Sequence, residues 1–118
     1  MLVMFFTMSV YSFAEDTNAT EIERIERYDF NVNIKRLSSF LELSKDQVES
    51  VESIENEFHN DLMFAAVECN KDNRMKVTEN AIEKHIKHMS YILNEKQYRK
   101  YLKVLNVTIN NRGIRNVK

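Results

Sequence analysis

The chain predicts an all-α fold of four helices in two antiparallel hairpins, and three observations carry that expectation. Among 118 residues there is one Gly and no Pro, so the frequent turns that strands need have almost no residues to form them. Apolar residues recur at spacings of three and four, the pattern of helices buried along one face. One helix start is also spelled twice. Leu43-Ser44-Lys45-Asp46-Gln47 and Leu93-Asn94-Glu95-Lys96-Gln97 both read Leu, capping residue, two charged residues, Gln, 50 positions apart. This is a capping box: the Ser or Asn side chain accepts from a backbone N–H of the first turn, and the Gln three residues on reaches back.

Residues 1–14 read as a signal peptide. Met1 to Val10 is apolar apart from Thr7 and Ser9, although no Lys or Arg precedes the run. Ser12 and Ala14 put small residues at the −3 and −1 places of a cleavage site. About 10 apolar residues are too few to span a bilayer, so removal fits better than anchoring, with no stable membrane insertion afterwards. Residues 15–28 are charged and polar, with Ile22 and Ile25 the only large aliphatics, and are expected to be a mobile N-terminal arm. Residues 29–118 then form a single helical domain.

Within that domain, Phe30, Ile34, Leu37, Phe40 and Leu41 mark the inner face of the first helix, which ends before the Ser44 cap. The second runs from Lys45 to about Cys69, with Val48, Val51, Ile54, Phe58, Leu62, Ala65 and Cys69 as its stripe. Asn70-Lys71-Asp72-Asn73 is the clearest break. The third helix extends from about Arg74 to Ile92, carrying Val77 or Thr78, Ala81, Ile82, His85, Met89 and Ile92 inward. The fourth starts at the Asn94 cap, buries Tyr98, Tyr101, Leu102, Leu105 and Ile109, and stops near Gly113.

Charge divides unevenly along this layout. Ser44 to Asn70 holds one base against 7 acids, whereas Lys71 to Lys118 holds 12 bases against 4 acids, inside a chain of net charge −1. An acidic second helix beside a basic C-terminal half favours pairing within the chain and a homodimer. The basic half with Tyr91, Tyr98 and Tyr101 could also receive acidic or unfolded partners. Nucleic acid is not expected as a partner, because no recognition motif accompanies the charge.

Few residues carry a chemical signature. His85 and His88 stand at i, i+3, a spacing that can bring two imidazoles to one metal. His59, Glu79 and Glu83 supply no aligned third ligand, so no metal or other cofactor is expected, and His85 on the apolar face reads as a hydrogen-bonded structural histidine. Cys69 is the single cysteine and cannot form an internal disulfide; it reads as a small buried hydrophobe. No phosphate-binding Gly-rich loop, nucleophile elbow or Cys–His pairing is visible, so an enzyme is not expected. Met63, Phe64 and Val67 widen the apolar face near the end of the second helix. Together with Arg99, Lys100 and Lys103 they form a candidate client or partner surface.

The twin spelling resembles the LTxxQ motif of the Spy/CpxP family, small helical proteins of the bacterial periplasm, over Phe30 to Asn111. Ser44 and Asn94 stand where the family has Thr, and both cap helices. The resemblance implies a thin, bent, cradle-like dimer in which Leu43, Ser44, Gln47, Leu93, Asn94 and Gln97 are architectural. It also implies a periplasmic protein that binds unfolded or stressed envelope proteins without ATP or cofactor. Two alternatives belong to other classes. One is a regulator docking on an envelope-stress sensor, metal-responsive through His85 and His88; the other is a structural or interaction module with no client.

Overall fold

The computed structural model describes residues 6–7 and 19–114. These residues are almost entirely helical. The elements in order are β1 (Phe6–Thr7), α1 (Ala19–Tyr28), β2 (Asn31–Val32), α2 (Ile34–Leu41), α3 (Lys45–Glu68), α4 (Lys71–Ile92) and α5 (Glu95–Arg112). The all-α class holds, but with five helices among the described residues where the sequence suggested four. The two-residue strands β1 and β2 pair antiparallel, Phe6 opposite Val32. Of the expected signal peptide, Phe6 and Thr7 are described, as β1, and the cleavage site Ser12-Phe13-Ala14 and the other residues of 1–14 lie outside the described residues.

The fifth helix is α1, in the stretch read as an arm. Tyr28 is buried, Ile22 and Ile25 are half-buried, and Arg24 Nε donates to the Ala66 carbonyl at 2.9 Å. That bond satisfies one of the carbonyls left free at the end of α3. The first helix also begins later than its apolar spacing suggested. Phe30 is buried outside any helix, Asn31 and Val32 pair with β1, and Asn33 caps α2 by accepting from Arg36 N at 3.1 Å.

Among the described residues, helices α3 and α4 form the most extensive pairing. Antiparallel alignment is fixed by Gln47 reaching Ile92 at one end, Lys84 meeting Asp61 in the middle and Arg74 reaching Ala65 at the other. The turn is tighter than expected. Asn70 caps α4 directly, accepting from Asn73 N at 3.0 Å, so Lys71 to Asn73 belong to the helix. Arg74 closes the end of α3 with bonds to the carbonyls of Ala65 and Cys69.

Helix α2 ends with Glu42 in the left-handed region, φ 56°. The Glu42 and Leu43 N–H groups donate back to Ser39 and Ser38, a closure in which the left-handed residue is ordinarily glycine. Gly113, φ 65°, does the same for α5. The core runs through all five helices, with Leu37, Val51, Leu62, Ile82, Met89 and Leu105 excluded from solvent.

Candidate functional site

Two arrangements stand out, and both tie α5 to the α3–α4 hairpin. At the first, the twin capping boxes meet. Ser44 and Asn94 accept from the N–H of Gln47 and Gln97 at 3.2 and 2.8 Å, and each Gln Oε1 accepts from its own cap N–H at 2.9 and 3.0 Å. The two glutamines also bond to each other, Gln47 Nε2 to Gln97 Oε1 at 2.8 Å and Gln97 Nε2 to Gln47 Oε1 at 3.2 Å. Each then reaches the last turn before the other box: Gln47 Nε2 to the Ile92 carbonyl at 3.0 Å, Gln97 Nε2 to Leu41 and Glu42 at 3.1 and 3.3 Å. Ile92 and Glu42 are themselves 50 residues apart, so the junction has local two-fold character. Leu93 is buried and Leu43 half-buried against the core beside it.

The second arrangement is a buried trio. The Tyr101 hydroxyl on α5 donates to Glu55 Oε2 on α3 at 2.6 Å and shares a 2.6 Å hydrogen bond with His85 Nε2 on α4. All three side chains are shut off from solvent, and the His85 ring lies flat on Phe58 with centroids 4.0 Å apart. Among the described residues, Glu55 Oε1 and His85 Nδ1 have no hydrogen-bond partner.

Burial dictates the protonation of the trio, because a charge there would lose its hydration. The Glu55 carboxyl is pushed up to about 8, burial outweighing the Tyr101 bond that acts the other way. The His85 imidazole is pushed down to about 3, first by burial and then by the nearby His88. Tyr101 is raised by burial and by Glu55. The 3.6 Å approach of His85 Nε2 to Glu55 Oε1 is therefore a contact between uncharged groups near neutral pH. The trio can share protons inside the core and is closed to outside reactants.

Sequence reasoning identified His85 and Tyr101 as inward-facing but missed Glu55. A signal was present: Val51, Glu55, Phe58 and Leu62 follow a spacing of four, three, four, and all four are buried. An acid at a core register marks either a partner or a raised pKa.

The remaining candidates are scattered. His88 is half-buried and 3.3 Å from Glu57, facing a different partner from His85. Among the described residues no group of three His, Cys, Asp or Glu is placed to hold a metal ion. Met63 packs partly buried against the core, whereas Phe64 and Val67 are 54 % and 57 % exposed. Phe64 borders a groove of about 210 Å³ with Asp61, Val77, Asn80, Ala81 and Lys84. On α5, Lys100 donates to the Phe40 carbonyl at 2.8 Å and covers the Phe40 ring. Arg99 pairs with Glu95 and Lys103 is exposed. Thus Phe64 and Val67 share one helix, while Lys100 is committed to closing α2. Cys69 is half-buried as the C-cap of α3. Among the described residues no helix is long and apolar enough to cross a membrane.

Fold and site together define an all-α protein whose helices are joined by a twinned, hydrogen-bonded capping junction. Compared with known proteins, the chain matches no family model, no curated protein and no solved structure.

Proposed function

We propose that the chain is an exported, ATP-independent chaperone-like protein that holds unfolded or stressed envelope proteins in the periplasm. It acts without cofactor or catalysis, as a homodimer of the thin, bent, two-hairpin form of the Spy/CpxP proteins it resembles. The observation that carries this reading is the capping junction. Both LTxxQ-like copies occupy helix starts, and Leu43, Ser44, Gln47, Leu93, Asn94 and Gln97 all act on geometry. The exposed Phe64 and Val67 supply apolar contact for a client, and Arg99 and Lys103 supply charge that gathers acidic segments.

An aggregation assay tests it. The protein is titrated against a chemically denatured model substrate while light scattering is followed. Suppression near equimolar amounts, weakened by salt, is the expected outcome. No suppression at several-fold excess would refute client binding, and a selective complex with one membrane sensor would then favour the regulator.

A further inference from the structure

The proposed function makes no use of the buried trio, although Glu55, His85 and Tyr101 bring one ionisable group each from α3, α4 and α5 to a single point. Their surroundings are apolar or distant in charge. From α4, His88 is the nearby titratable group that acts on His85, and it leans toward Glu57 of α3. From the segment before α2, Phe30 closes the far side, edge-on to Phe58 at 5.4 Å. Beyond Phe30 lie Arg112 of α5 over its ring at 4.6 Å, and the Asp29–His59 contact at 3.3 Å. Among the described residues a carboxylate at Glu55 would have Tyr101 as its sole hydrogen-bond donor, where it can accept about four. An imidazolium at His85 would carry an Nδ1–H with no acceptor.

We propose that Glu55, Tyr101 and His85 form a proton-gated latch, which holds α5 on the α3–α4 hairpin while Glu55 and His85 are both uncharged and loosens when either becomes charged. Glu55 has a raised pKa, from 4.5 to about 8, so its contribution is whole below pH 4.5 and is lost as pH rises through 8. His85 has a lowered pKa, from 6.5 to about 3, so its contribution is whole above pH 6.5 and is lost as pH falls through 3. The two slopes cancel between pH 4.5 and 6.5. The grip is strongest in that mildly acidic window and weakens on both sides. Tyr101 stays protonated throughout and carries the connection to α5.

Amide hydrogen exchange of α5, corrected for the intrinsic rate at each pH, reads the latch in the full chain. Between pH 5.5 and 9 the opening equilibrium of α5 should rise about twentyfold. Glu55→Gln removes the ionisation at constant size and leaves the His85 limb alone, so the same interval should tighten α5 by about tenfold. A wild-type opening equilibrium that stays flat, or a Glu55→Gln profile that still rises, overturns the proposal. A ¹³C titration of the Glu55 carboxyl in the unmodified protein covers the case in which the variant does not fold. A midpoint near pH 8 supports the latch, and one in the ordinary range of pH 4–5 refutes it. The latch stands whether or not the chain binds unfolded proteins.

Discussion

Removing the two junction glutamines, singly and together, tests whether the capping boxes act as one unit. Gln97 makes three donor contacts and accepts twice, but its amide has two hydrogens, so about four bonds count at once. At roughly 1 kcal/mol net per bond, with water recovering the exposed ends, Gln97→Ala should cost about 3 kcal/mol. Gln47 is half-buried and donates to Ile92 and Gln97; its loss should cost about 2 kcal/mol. The glutamines share their mutual bonds, which each single variant already breaks. The double variant should therefore cost about 4 kcal/mol rather than 5, a coupling of about 1 kcal/mol. Urea unfolding followed by far-ultraviolet circular dichroism measures all three. Coupling below about 0.3 kcal/mol, the scatter of independent sites, would refute a joint junction and leave two unrelated helix caps.

Further perturbations separate core, surface and backbone effects. Leu62→Ala, at a fully buried position, should cost about 2–5 kcal/mol in the same unfolding experiment. Phe64→Ala two residues on should change stability by less than about 0.5 kcal/mol, yet reduce aggregation suppression. Lys84 is 2.7 Å from Asp61 and 3.5 Å from Glu57, but its side chain is 43 % exposed. Lys84→Met should therefore cost at most about 1 kcal/mol, and high salt should narrow the gap. Glu42→Gly relieves a left-handed residue and should stabilise by about 0.5–1 kcal/mol, the relief exceeding the added chain entropy of glycine; a loss on thermal melting would contradict that.

Helix starts were the most legible part of this chain, because a cap is a local event. Ser44 and Asn94 announce α3 and α5 within four residues, whereas Asn70 reads as part of a break with α4 starting near Arg74, although it is the cap itself. What was hidden depended on distant partners. Ile22 and Ile25 look too sparse to dock a helix, but Arg24 finds an α3 carbonyl 42 residues away. Phe30 lies at helical spacing from Ile34, yet its backbone leads into a strand because β1 lies alongside. Glu55 reads as one more acid on an acidic helix. Its register with Val51, Phe58 and Leu62 hints at an inward position, but only the meeting of α3, α4 and α5 supplies its partner, Tyr101. The pairing of Gln47 with Gln97 was equally out of reach, since a capping box accounts for each glutamine without the other.

The position of Gln97 on α5 has a mechanical consequence. The amides at the junction do not titrate, so α5 is pinned there at any pH. Tyr101 follows four residues later, about 6 Å along the axis, whereas Arg112 lies fifteen residues on, about 22 Å away. The helix is thus a lever with its fulcrum beside the trio and a long arm packed on the core through Leu105 and Ile109. A shift of about 1 Å at Tyr101 becomes nearly 4 Å at Arg112 by that ratio. There the arm ends on the Asp29 carbonyl and the Phe30 ring, so a proton exchanged at the heart of the molecule would be felt at the seat of β2, far down the arm.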